Sequence, residues 1–303
     1  MERMIVMITI PEEKKIRVII DTDAACEADD PFAIVHALLS PKLIVKGILA
    51  EHFNENGSVQ KSYDEIRTIL KAMNLDVPVF MGEENSVDQA GWPESVSEAA
   101  EFIISEAMRE DARPLYILCQ GAVTNLAAAL RRKPAVRDRI RVIWIGTHGA
   151  TEKPAPFREF NAGNDVTAAN YLLESGADIY LVPSDVYTTI TAGLAELKLK
   201  VLPCGEIGRH LYENMVSYNL SPRAGWTQGE SWSLGDSPAI AIAINPECGK
   251  YTYTPAPHVS EDTSSVSRPG NPVIRVYKSV DSRYILEDFF AKLRLFTMPE
   301  SLV

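Results

Sequence analysis

Four aspartates fall within ten residues near the start of the chain: Asp21, Asp23, Asp29 and Asp30, in the run Asp21-Thr22-Asp23-Ala24-Ala25-Cys26-Glu27-Ala28-Asp29-Asp30. Like charges at this density repel one another. The usual remedy is a divalent cation, and carboxylate oxygens are hard ligands that suit Ca²⁺ or Mg²⁺. The plainer use of an aspartate before a helix is capping, where the carboxylate gains from free N–H groups and the helix dipole. Capping accounts for one or two of the four. The rest mark a metal or catalytic site.

Other polar clusters follow apolar runs in the same way. Glu51-His52-Phe53-Asn54 follows Leu43–Ala50, Gln120-Gly121-Ala122-Val123-Thr124-Asn125 follows Leu115–Cys119, and His148 follows Arg141–Ile145. Glu159-Phe160-Asn161 and Gly235-Asp236-Ser237-Pro238 each precede a helical stretch. Singly these are weak: Asn125 reads as a turn residue, and Asp236 with Ser237 as an N-cap. Their weight lies in falling together at the carboxyl ends of strands in one sheet, where α/β folds bind ligands. His52 and His148 are candidate proton donors, since imidazole titrates near neutral pH; an ordinary packed histidine is the competing reading. Tyr218, Trp226 and Trp232 offer rings for stacking on a base, or for ordinary packing. Glu51 adds a carboxylate that disfavours anionic substrates near the mouth.

The elements that must position these residues alternate through the first 180 positions. Strands are predicted at Arg17–Ile20, Leu43–Ala50, Val77–Phe80, Leu115–Cys119, Arg141–Ile145 and Ile179–Val182. Helices are predicted at Asp29–Leu39, Ser58–Met73, Ser97–Arg109, Thr124–Arg132 and Val166–Glu174. This rhythm predicts an α/β fold, with an open, mostly parallel sheet flanked by helices. Thr191–Tyr218 reads as largely helical, Pro238–Ile244 as helix, Pro255–Pro272 as a loop, Val273–Tyr277 as a late strand and Ser282–Leu295 as a closing helix. No repeat or composition break divides residues 1–303, so one domain with additional C-terminal helices is expected.

The net charge of −11 argues against nucleic acid and anionic membranes as partners and leaves a small molecule. Four cysteines without a CxxC pair read as reduced thiols in a cytoplasm. The N-terminal residues lack the pattern of a secretory signal, and no apolar run reaches the length of a membrane span.

In order and spacing these elements resemble the inosine-uridine nucleoside hydrolase family over nearly the whole chain. The family's opening DxDPGxDD is matched by Asp21-Thr22-Asp23 and Asp29-Asp30, its Asn after the second strand by Asn54, and its GxLTN element by Gly121-Ala122-Val123-Thr124-Asn125. Glu159-Phe160-Asn161 and the late Asp236 complete the match. The resemblance implies hydrolysis of an N-glycosidic bond with bound Ca²⁺. Asp23, Asp30 and Asp236 would be carboxylate ligands and Gln120 a ligand through its backbone carbonyl. Asp23 would also be the catalytic base, and Asp29, Asn54, Glu159 and Asn161 would hold the ribose. A homo-oligomer, dimer or tetramer, is implied as well. The chain departs from the family in two places: two extra residues lengthen the loop around Cys26-Glu27, and Gly235 stands where many relatives carry a His that protonates the leaving base. These departures keep open a second reading, a non-catalytic nucleoside or ribose-binding protein. A strand ending in DxD also opens phosphotransfer enzymes of the haloacid dehalogenase type, but that leaves Asp29-Asp30 unexplained.

Overall fold

The apolar run before the aspartates forms strand β1 (Ile16–Thr22), buried at every residue. Val18 and Ile20 point into one core and Ile19 into the other. A strand apolar on both faces belongs in the middle of a sheet covered on both sides. The computed structural model, which describes residues 9–149 and 157–298, has that arrangement. The remaining strands of the sheet are β2 (Leu43–Ala50), β3 (Val79–Met81), β4 (Leu115–Cys119), β5 (Ile140–Ile145), β6 (Asp178–Val182), β7 (Gly249–Pro255) and β8 (Val273–Val280). Their spatial order is β3-β2-β1-β4-β5-β6-β8-β7. All neighbours are parallel except β7 and β8, which pair antiparallel. The expected fold class is therefore the observed one.

Helices Asp30–Leu38, Ser58–Met73, Ser237–Ile244 and Ser282–Thr297 cover one face; Glu98–Met108, Thr124–Arg132 and Val166–Glu174 cover the other. The chain runs outward from β1 to β2 and β3, then returns to build β4, β5 and β6 on the opposite side. The order thus reverses between β1 and β4, and the crevice at such a reversal is where open α/β sheets bind ligands. Backbone bonds carry the strand ends side by side into that crevice: Gln120 N–H donates to the Asp21 carbonyl at 2.8 Å, and Glu51 N–H to the Thr22 carbonyl at 2.8 Å.

Three expectations need correction. Strand β7 was missed because Gly-Lys-Tyr-Thr-Tyr-Thr-Pro is polar, half exposed and bounded by Gly and Pro; it is an edge strand defined by its pairing with β8. The segment expected to be helical from Thr191 opens instead with Thr191–Gly193, which pairs with Ser231–Ser233. Helices Leu194–Lys200 and Gly205–Asn219 follow, separated by a break that Gly205 turns with φ +66°. Inside the expected loop, His258–Val259 and Ser265–Val266 form a two-residue ladder. No described helix is long and apolar enough to cross a membrane.

The long helices Ser58–Met73 and Gly205–Asn219 are joined by His210 Nε2 and Glu65 Oε1 at 2.6 Å. The hydrogen bond to Glu65 raises the His210 pKa above its ordinary value. Its contribution to stability is therefore complete below the ordinary histidine value and is lost as pH rises through the raised one. His210→Ala should cost up to about 1 kcal/mol at pH 5.5 and little at pH 9 in urea titrations, given the partial exposure of the pair. An equal loss at both pH values would show that the ring packs and the charge is idle.

Candidate active site

Two helix N-termini converge at the crevice. Asp29 precedes helix Asp30–Leu38 and Asp236 precedes helix Ser237–Ile244, each with a proline in the first turn, and neither aspartate caps its own helix with its side chain. Asp29 Oδ2 instead accepts from the Gly235 N–H at 2.9 Å, across the crevice. Asp30 accepts from the Thr22 hydroxyl and lies within hydrogen-bonding reach of Asp236. Oxygens of Asp29, Asp30 and Asp236 all lie within 4.8 Å of one another. Asp23 lies against Gly121, where a Cβ would come within 2.9 Å of its carboxyl carbon. Glycine at 121 is what lets the two strand ends approach; the Trp144 indole fixes the same turn by donating to the Gly121 carbonyl at 3.2 Å.

These carboxylates form the floor of a cavity of about 640 Å³ that also takes in Gln120, Glu159 and Asn161. Seven of the ten residues expected at the site thus meet there. The other three do not line the cavity. Asn54 is exposed and donates to the Asn164 carbonyl at 2.7 Å. His52 is fully buried, turned toward the Thr124 hydroxyl at 2.8 Å, and burial pushes its pKa down to about 4. His148 has both ring nitrogens engaged, with Ser184 Oγ at 2.6 Å and the Phe157 carbonyl at 2.8 Å. Each follows a strand end as expected, but its side chain is absorbed by the neighbouring element.

Glu159 lines the cavity and is also held by the protein itself. Its carboxylate accepts from the N–H groups of Thr147 (2.9 Å), Ala162 (2.8 Å) and Asn161 (3.3 Å) and from the Tyr187 hydroxyl (2.9 Å). A carboxylate offers about four acceptor positions, so these donors fill it. These contacts fix Asn161 and Tyr187 in the cavity wall. Asn161 donates to the Ile145 carbonyl at 2.9 Å, and its side-chain oxygen remains available. Tyr187 escaped the sequence reading because it stands in no motif. Its ring fills the space beside Gly235, where an added Cβ would lie 3.1 Å from it.

Burial governs the electrostatics. Asp29 is raised to about 7, and Asp23 and Asp236 well above the ordinary carboxylate range, by loss of water first and by the charge of Asp30 next. Asp30 is itself raised to about 7 by burial, partly offset by hydrogen bonds with Thr22 and Asp236. Glu27, in the lengthened loop, is raised to about 8 by burial and then by Asp29. Behind the floor, Asp21 is raised to about 7 by burial, partly offset by Asn125, whose amide donates to it at 2.9 Å. Asp23 Oδ2 and both polar atoms of the Gln120 side chain are buried without a partner.

A doubly covered parallel sheet, with a carboxylate-floored cavity at its switch point, is an α/β fold with a candidate site for a hard cation. The comparisons give the family. Residues 18–284 match the model of the inosine-uridine preferring nucleoside hydrolases, and the chain belongs to that family of N-glycosidases. It is 27% identical over 255 residues to the pyrimidine-specific ribonucleoside hydrolase RihA of Salmonella typhimurium, spanning 76% of this chain and 80% of that one. Among solved structures it resembles the plant nucleoside hydrolase PpNRh1, with TM-score 0.77, 21% identity, and coverage of 93% of this chain and 99% of that one. The purine-preferring ribonucleoside hydrolase of Gardnerella vaginalis also superposes with TM-score 0.77, at 20% identity, over 93% and 100% of the two chains. The relatives' names divide between pyrimidine and purine, so likeness alone leaves the base open.

The raised carboxylate values have a consequence for the metal-free protein. A carboxylate whose pKa is higher folded than unfolded contributes stability below its unfolded value, near 4, and loses it as pH rises through the folded value. Chelated protein should therefore melt at least about 5 °C lower at pH 8.5 than at pH 5.5. A flat profile in chelator would mean that the cluster is relieved by water.

Proposed function

We propose that this chain hydrolyses the N-glycosidic bond of a nucleoside or related N-riboside, releasing ribose and the base, with Ca²⁺ as its resident ion. The observation that carries the reading is the meeting of Asp23, Asp29, Asp30 and Asp236 on the floor of one cavity. An all-oxygen donor set fits a hard divalent ion, and so do the close approach of three carboxylates and the unpartnered oxygen of Asp23. Asp23, Asp30 and Asp236 would hold the ion by carboxylate and Gln120 by its backbone carbonyl, with Asp29 near enough to join them. When bound, the ion supplies positive charge that lowers the pKa of water at the site.

Asp23 takes a proton from the attacking water, since its free oxygen is buried on the cavity floor. Asn161 and Asp29 orient the ribose hydroxyls. Asp29 is held for this by the Gly235 N–H, and Asn161 by the Ile145 carbonyl. Glu159 fixes the wall through Tyr187. The buried carboxylates favour the positive charge that develops on the sugar as the bond to the base lengthens. Four free, buried thiols are consistent with work in a reducing cytoplasm.

A reducing-sugar assay across purine and pyrimidine nucleosides should detect ribose. Asp23→Asn should lower turnover by about 10²–10⁴-fold, because an amide cannot accept the water's proton. Substrate binding without any ribose release by the wild-type protein would favour a binding protein on the same scaffold.

A further inference from the structure

Above its carboxylate floor the cavity is walled by aromatic rings. Trp226, Phe157 and Phe160 are 60%, 49% and 44% exposed, and all three line the cavity. Trp226 lies 6.1 Å from Trp232, centroid to centroid, so two indoles share one wall. Glu27 stands in the same cavity, half-buried and without a hydrogen bond to any described residue.

The charge is one-sided. Among the described residues, six carboxylates line the cavity against one guanidinium, Arg158, whose donors are turned to the Glu261 and Gly163 carbonyls. A divalent ion balances two of the six. The Gln120 side chain, buried and unpartnered, also points to a ligand. The charge of Arg223, whose guanidinium donates to Glu55, also reaches Glu27 from outside the lining. Aromatic faces beside carboxylates that an adjacent cation holds ionised form a site for an organic cation.

The chemistry of the leaving group agrees. A neutral base departs as an anion unless it is protonated, and acid assistance is worth about 10²–10⁴-fold. None of the chain's five histidines lines the cavity. A base whose glycosidic nitrogen or ring carries a positive charge needs no such proton.

We propose that the preferred substrate is an N-riboside with a positively charged base, of the pyridinium or N7-alkylpurine type, gripped by Glu27 and the indoles of Trp226 and Trp232. This deepens the N-ribohydrolase reading above and rests on it. In the step, the C1′–N bond breaks and its electron pair cancels the positive charge of the base. A water oxygen bonds to C1′, and the water's proton passes through Asp23 to solvent. One proton is released per turnover, where a neutral nucleoside releases none.

The test compares nicotinamide riboside and 7-methylguanosine with uridine, inosine and guanosine at pH 6.5, following ribose and, with an indicator dye, protons. The kcat/KM for the cationic substrates should be at least about 100-fold higher. Charged substrates are also intrinsically more labile, so binding is read separately, by competition. The cation 1-methylnicotinamide should inhibit at least about 10-fold more tightly than neutral nicotinamide. Glu27→Gln should shrink that preference, and Trp226→Ala should raise KM for nicotinamide riboside. Ribose released equally well from uridine or inosine, or equal inhibition by the two nicotinamides, overturns the proposal and leaves the N-ribohydrolase reading standing. Glu27→Gln depressing neutral nucleosides more than cationic ones also overturns it, and makes Glu27 a proton donor. No ribose from any of the five substrates overturns the N-ribohydrolase reading itself.

Discussion

Oxygens of Asp29, Asp30 and Asp236 stand within 4.8 Å of one another, in a place where water is largely excluded. Repulsion at that distance grows as the surrounding dielectric falls, and much of the fold around the crevice is organised to bear it. Two helices present their N-termini to the cluster, so their free N–H groups and dipoles face negative charge. The Gly235 N–H and the Thr22 hydroxyl each take one carboxylate. These donors offset the repulsion without removing it, which is why the carboxyl groups remain raised. The site is built for a positive charge that the polypeptide does not provide.

A second polar layer lies behind the first and keeps it in place. Asn125 donates its amide to Asp21 and accepts from the Glu83 N–H at 2.7 Å, while its own N–H reaches Glu51 at 3.1 Å. One residue at the head of helix Thr124–Arg132 thereby ties the ends of β1, β2 and β3 together. Beside it, Thr124 donates to Asp165, which also accepts from the N–H groups of Val87 and Ala168. Buried polar groups are tolerable only when partnered, and this layer is densely paired. At the cavity floor, by contrast, one oxygen of Asp23 and both polar atoms of the Gln120 side chain lack a partner among the described residues; in the layer behind, so do Asp21 Oδ2 and His52 Nδ1.

Much of this was legible in the residues. The apolar run before Asp21, the acidic spacing and the βαβ rhythm each have a local cause, and each led to the right strand end. What could not be read was direction. His52 and Asn54 follow β2 as expected, but beyond the strand the chain turns: His52 is buried against the Thr124 hydroxyl, while Asn54, at φ +57°, is exposed. Glu159 was expected at the site, yet only the fold shows that Thr147, Ala162, Asn161 and Tyr187 fill its acceptor positions. Tyr187, at the end of the short helix Ser184–Tyr187, and Phe157 stand in no motif that marks them for the cavity wall. Strand β7 is polar and exists through its partner. Long-range pairing and side-chain direction were the missing information.

The account turns on one claim, that the buried carboxylates are a cation site. Calorimetric titration of Ca²⁺ into chelator-treated protein tests it most directly. One saturable site per chain is predicted in the wild type, with affinity at least about 100-fold weaker in Asp236→Ala, since removing a charged ligand from a hard-ion site lowers its affinity steeply. No binding to the wild type, or equal binding to both proteins, would contradict the account.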